Sequence, residues 1–183
     1  MHGWRWRGPI SQTGINAEVP ALCYAAMTQG HATPPQLSFA MELRVKVGAP
    51  IDVGTVPQGR RRIIPIEGGT FEGPAARGAV LAGGADWQII RPDGVAELDT
   101  RYLLETDAGE VIYIQNAGIR HAPPDAMSRL LAGQSVDPSI VYFRTVPTFE
   151  TASPRLQWLT RALFIGSGER HPSDVIIRVW KVE

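Results

Sequence analysis

The chain has 183 residues, 44% of them hydrophobic and 20% charged, and its 18 basic and 18 acidic side chains leave a formal charge of +0. That balance gives no global field to attract nucleic acid or an anionic membrane, and the length suits one domain with a real hydrophobic core. Cys23 is the single cysteine, which excludes an internal disulfide and a cysteine metal cluster and suits a reducing cytoplasm. No apolar run approaches the roughly 18 residues that a membrane-spanning helix needs.

Sixteen of the basic residues are arginine, with only Lys46 and Lys181 as lysine. Codon bias of a GC-rich genome is the ordinary cause; a preference for bidentate carboxylate or phosphate recognition is the sharper one.

Residues 1–36 differ in character from the rest of the chain. Trp4, Arg5, Trp6 and Arg7 precede an aperiodic mixture that ends in Pro34-Pro35. A secretory signal would place an unbroken apolar stretch after the arginines, whereas Val19 to Met27 is short and contains Pro20. The expectation is a disordered extension, with Met27 or Met41 as alternative beginnings. Interleaved Trp and Arg can stack on single-stranded nucleic acid, but two of each is a weak signal.

From Leu37 the pattern has period two. Leu37, Phe39, Met41, Leu43, Val45 and Val47 alternate with smaller or charged residues, as a strand with one dry face requires. Ile51 to Thr55 reads as an edge strand before Pro57-Gln-Gly59 turns the chain. Arg60, Arg61 and Arg62 then point to alternating faces and read as the solvated start of a strand. Ile64 to Trp87 holds six glycines among short apolar pieces, too much backbone freedom for a helix, and reads as strand, turn or bulge, and more strand.

Two hairpins come next. Arg91-Pro92-Asp93-Gly94 joins Trp87–Arg91 to Val95–Asp99, and Thr106-Asp107-Ala108-Gly109 joins Arg101–Glu105 to Glu110–Asn116. A short helix is expected over Pro124 to Ala132, ended by Gly133. Ser139–Val146 reads as a strand, Pro147–Thr151 as a connection, and Gln157–Ile165 as another strand turned by Gly166-Ser-Gly168. Asp174–Val182 closes the chain, its alternating Val175, Ile177 and Val179 suited to pairing with the first strand. Short strands at hairpin spacing with one short helix imply an all-β domain over residues 37–183: a single closed or nearly closed antiparallel β-barrel, lipocalin-like in size. Closure removes exposed edges and leaves room for one small ligand.

The string Gly54-x-x-Pro57-x-Gly59-x-Arg61, then Gly68-Gly69-Thr70-Phe71-Glu72-Gly73-Pro74 and Gly83-Gly84-Ala85-Asp86-Trp87, resembles the domain of unknown function family 3237, also called uncharacterised protein family 0311. The resemblance continues through Asp99-x-Arg101-Tyr102, Tyr142-x-Arg144, Phe149-Glu150-Thr151 and Trp158-Leu159, and covers about Leu37 to Glu183. It implies a small β-barrel and carries over no catalytic roles.

Candidate site residues rest on strand parity. Asp99, Arg101, Leu103 and Glu105 share one face, and Leu98, Thr100, Tyr102 and Leu104 the other, more apolar one. An interior arginine needs a paired carboxylate. The functional reading is an enclosed acid–base set: Asp86 or Glu150 as proton acceptor, Tyr142 as donor, and Arg101 or Arg144 holding an oxyanion. The structural reading is a salt-bridge network that fixes barrel register. Trp87, Tyr113 and Trp158 are the candidate ligand-facing aromatics, or else core. The histidines form no metal-ligand pair, no acyl-hydrolase elbow occurs, and the Gly-Gly pairs lack the Lys-Ser/Thr of a phosphate loop; neither a cofactor nor a metal is expected.

Three functions are compatible with this pattern. The first is a cofactor-independent isomerase, cyclase or lyase acting on a small organic molecule inside the barrel. The second is a small-molecule carrier or sensor with the same pocket. The third is a structural module, a homodimer through an exposed strand or cupped sheet. The first two expect a cavity lined by Trp87, Arg101, Tyr142, Arg144 and Glu150; the third expects a filled interior.

Overall fold

A computed structural model describes residues 33–183, and the expectations placed on residues 1–32 lie outside it. Ten strands succeed one another: β1 (Leu37–Val47), β2 (Ile51–Val56), β3 (Gly59–Glu72), β4 (Arg77–Val80), β5 (Ala85–Ile90), β6 (Ala96–Thr106), β7 (Val111–His121), β8 (Tyr142–Thr151), β9 (Phe164–Arg170) and β10 (Asp174–Val182). One helix, α1 (Pro124–Leu131), lies between β7 and β8, and short 3-10 segments cover Pro138–Ile140 and Pro154–Thr160.

All the pairings are antiparallel, and the sheet closes. Around the ring run β1, β10, β9, β8, β7 and β6; β3 then pairs back with β1. Between β6 and β3, one position is shared end to end. β4 occupies the Gly69–Glu72 side of β3 and β5 the Arg60–Pro65 side, both pairing with β6. The result is an eight-position closed barrel in which β5 shares a place with β4 and β2 hangs on β3 as the edge strand the sequence suggests. The last strand pairs with the first, Val45 opposite Val175 and Leu43 opposite Ile177, which closes the ring at the chain's two ends.

The closing seam depends on glycine. Gly69 has φ +141°, and a Cβ there would lie 2.0 Å from the Arg44 carbonyl oxygen on β1. Only a residue without a side chain lets the strongly coiled β3 meet β1 at this point.

Where the sequence reading and the fold differ, a neighbouring strand is the reason. Gly166 and Gly168 are not a turn; they sit inside β9, where a Cβ would meet Thr145 Oγ1 at 2.4 Å and the Phe143 ring at 2.5 Å. Pro147 to Thr151 is not a connection but the second half of β8, paired with β7. The β8–β9 ladder covers only Arg144 and Thr145, so this half of β8 has a ladder on one side only, where a proline is tolerated. Gln157 to Thr160 is 3-10 rather than strand. Arg62 is not solvated: parity turns it inward, and it is 7% exposed.

The interior is solid at one end and hollow at the other. Met41, Leu43, Phe71, Leu104, Ile112, Ile114, Phe149, Phe164 and Val179 fill the solid half, reinforced from the Pro154–Thr160 segment by Leu156 and Leu159. α1, which follows the Arg120 end of β7, buries Ala126, Met127 and Leu130. Its start and stop match the sequence signals, Pro124 at the first helical position and Gly133 at φ +75° just beyond the end.

Candidate functional site

Towards one end of the barrel the inward positions change from aliphatic to polar. On β7 the inward series is Ile112, Ile114, Asn116, Gly118, Arg120; on β5 it is Asp86, Gln88, Ile90; on β8, Phe143 and Thr145. These polar groups converge on an internal cavity of about 50 Å³, room for only a few non-hydrogen atoms in its resting shape. Val45, Ile64, Leu98 and Ile177 form apolar wall between them, and Thr100 and Tyr102 complete the lining from β6.

Asp86 is the carboxyl group of this cavity. Gln88 Nε2 donates to its Oδ2 at 2.6 Å, while Oδ1 is buried without a hydrogen-bond partner among the described residues. Burial outweighs the opposing pull of the Gln88 and Thr100 side chains and of the Arg120 charge, so the carboxyl pKa is raised above the ordinary aspartate value. The Tyr102 phenol, buried beside it, is also pushed up, first by burial and then by the Asp86 charge.

Arg120 is 3% exposed, lies 5.6 Å from the centroid of the Phe143 ring, and has an Nε without a partner among the described residues. Burial draws its pKa down to about 10, against the opposing pull of Asp86, so the guanidinium is still charged at neutral pH. Gln88 Oε1, Asn116 Oδ1 and Thr145 Oγ1 are likewise buried and unpartnered. Buried polar atoms are ordinarily satisfied, and a group of them facing one void is an unusual concentration of unused hydrogen-bonding capacity. A small polar molecule that met them would supply the missing partners.

Of the residues singled out in the sequence, Asp86 faces this cavity and the others do not. Arg101 lies on the outer face of β6, bound to Asp99 at 3.0 Å with nearly half its side chain exposed. Tyr142 and Arg144 are on the outer face of β8, where the tyrosine stacks on His121 and the guanidinium covers the tyrosine ring. Glu150 is exposed on the same face. Trp87 is 38% exposed on the outside of β5, and Tyr113 is on the outer face of β7. Trp158 packs against Phe164 at 5.8 Å between centroids, at the solid end. The barrel holds an interior cavity, but none of Trp87, Arg101, Tyr142, Arg144 and Glu150, which were expected to line it, does so. On β6 and β8 the more apolar parity is the interior one, and the charged parity meets solvent, because an unpaired interior charge costs more than an exposed one. Arg120, Gln88, Asn116 and Thr145 escaped the sequence reading. Their signal was parity: each shares a strand face with apolar residues and breaks its pattern.

A closed antiparallel barrel, packed solid at one end and holding an ionisable polar cavity at the other, is the class of protein these features define. The chain belongs to the family described as protein of unknown function (DUF3237), whose model matches residues 35–182. It is 45% identical over 147 residues to a UPF0311 protein from Rhodopseudomonas palustris, a match spanning 80% of this chain and 96% of that one. Among solved structures it is similar to a β-barrel-like protein from Acinetobacter baumannii, with 42% identity, a TM-score of 0.74, and 85% of this chain and 100% of that chain covered. It is also similar to an enzyme from Penicillium herquei, with 20% identity, a TM-score of 0.63, and 84% and 98% coverage; at that identity the likeness is one of fold.

Proposed function

We propose that the barrel is a cofactor-independent acid–base enzyme that rearranges a small organic molecule by proton transfer in its polar cavity, the chemistry of an isomerase, cyclase or lyase. The observation that carries this reading is the Asp86 carboxyl, buried with one oxygen unpartnered among the described residues, on the same cavity as Arg120, whose Nε is also unpartnered. A carboxyl whose pKa is lifted by burial moves toward the range in which proton exchange at neutral pH is efficient. In the forward step, ionised Asp86 takes a proton from carbon adjacent to a carbonyl. The C–H electrons become the enolate, and the negative oxygen rests against the Arg120 guanidinium. Asp86 then returns the proton to a second atom of the same molecule, so the carboxylate is regenerated. Gln88 fixes the orientation of the carboxyl through Oδ2, and the apolar wall limits water. The fold of this barrel is shared with an enzyme from Penicillium herquei, which supports the capacity of such a scaffold to host catalysis.

The test is deuterium incorporation from D2O into a panel of small ketones and diketones, monitored by NMR. Wild-type protein is expected to accelerate exchange or rearrangement of at least one compound, and Asp86→Asn to lose about 10²–10⁴-fold of that rate. Ligand retention without exchange, unchanged by Asp86→Asn, would instead make the protein a carrier.

A further inference from the structure

Outside the cavity, at the same end of the barrel, lies a vestibule of about 320 Å³ between the β1–β2 connection and the C-terminal end of α1. Three arginines from three strands line it: Arg62 of β3, Arg120 of β7 and Arg170 of β9. Among the described residues, no acidic side chain lines it. Arg120 and Arg170 also line the inner cavity, so they stand on the boundary between the two spaces.

Like charges are not gathered in a half-buried space without compensation. Here the compensation is incomplete. Arg62 is 7% exposed, and among the described residues its side chain makes one hydrogen bond, to the Leu131 carbonyl at the end of α1, which spans 3.5 Å, the outer limit for such a bond. Arg120 has its unpartnered Nε. Arg170 is better held, donating to the carbonyl of Asp174 at 3.0 Å and to that of His171. The charges of two carboxyl groups reach the cluster, that of Asp86 at all three arginines and that of Asp174 at Arg170, while Asp52, whose charge also reaches Arg62, is already bound by Arg60. Three guanidinium charges against two carboxyl groups leave at least one positive charge unanswered.

We propose that this vestibule binds the carboxylate of a small organic acid, with the body of the acid reaching past Arg120 into the cavity that holds Asp86. The unanswered charge fits a monoanion, and guanidinium forks match the two oxygens of a carboxylate. A carboxylate held there leaves the rest of a short molecule directed at the apolar wall and the free Asp86 oxygen. The substrate class rests on the proposed function, but the anion site itself does not require turnover.

Benzoate, benzyl alcohol and inorganic phosphate are the probes, with binding read by isothermal titration and by protein NMR. Benzoate is expected to bind, benzyl alcohol to bind at least about tenfold more weakly, and Arg62→Gln and Arg170→Gln each to weaken benzoate by about tenfold or more. A measurement on wild-type protein guards against misfolded variants: benzoate should slow phenylglyoxal modification of Arg62 and Arg170, read by peptide mass, and leave exposed Arg77 unprotected. Equal binding of benzoate and benzyl alcohol, or indifference of benzoate to both substitutions, would overturn the anion site, and phosphate bound in preference to benzoate would overturn its assignment to carboxylates. Absence of deuterium exchange with benzoate still bound would sink the catalytic reading and leave the anion site standing.

Discussion

Gln88 Nε2 donates to Asp86 Oδ2 across 2.6 Å, from two residues further along the same face of β5. The bond holds one carboxyl oxygen and leaves the other turned to the cavity without a partner among the described residues. A strand places alternate residues side by side on one face, so the pair is fixed by local geometry once β5 is set between β3 and β6. What makes it reactive is burial, which comes from the closed barrel around it.

The Asp86 carboxyl has its pKa raised in the folded protein, chiefly by burial. Below the ordinary aspartate range both folded and unfolded chains carry the proton, and the group costs folding nothing through ionisation. As pH rises through that range toward the raised value, the unfolded chain ionises first and stability falls. Asp86→Asn is therefore expected to be more stable than wild type at pH 8, with the advantage vanishing near pH 3. Thermal melts across that interval check it; an equal or lower melting temperature at pH 8 would count against it.

Glu110 behaves in the opposite sense. Arg155 holds its carboxylate, Ser153 and Thr106 add hydrogen bonds, and its pKa falls to about 2. This stability is present above the ordinary glutamate range and is lost as pH falls toward 2. Glu110 immediately precedes β7 at its hairpin, and Arg155 belongs to the Pro154–Thr160 segment, so the contact ties down the solid end. Glu110→Gln should melt below wild type at pH 7, and the difference should close as pH approaches 2.

Barrel closure is expected to be sensitive at Gly69. An alanine there meets the Arg44 carbonyl and must adopt φ +141°, a cost of about 2–4 kcal/mol by strain and crowding together. Chemical denaturation of Gly69→Ala measures it. Gly83→Ala is the control: its φ is also positive at +113°, but nothing lies within 4 Å of its Cβ, so the smaller loss there reports strain alone.

Arg101, Arg144 and Glu150 sit on the outer surface. Alanine at each should change stability by less than about 0.5 kcal/mol, as exposed ion pairs and surface side chains ordinarily do. The same variants should retain deuterium exchange and benzoate binding. Loss of either in Arg144→Ala would move the site to the outside of β8 and overturn the cavity.

The order of elements was largely legible from the chain alone. Period-two alternation set β1, Asp-Gly and Ala-Gly turns set the two hairpins, and Pro124 with Gly133 bounded α1, since each is a local preference of neighbouring residues. Asp86 was also visible, as a carboxylate just after a glycine pair. Which parity faced inward was not, because a strand has two faces and only its partners decide which one water reaches. Closure of β1 on β3 and β10 resolved that choice. It sent Arg101, Tyr142, Arg144 and Glu150 to solvent, turned Gln88, Asn116 and Arg120 toward the inner cavity, and turned Arg62 toward the vestibule next to it. Residues from β3, β5, β7 and β9 that lie far apart in sequence became neighbours through long-range pairing, and no local preference of the chain encodes that meeting.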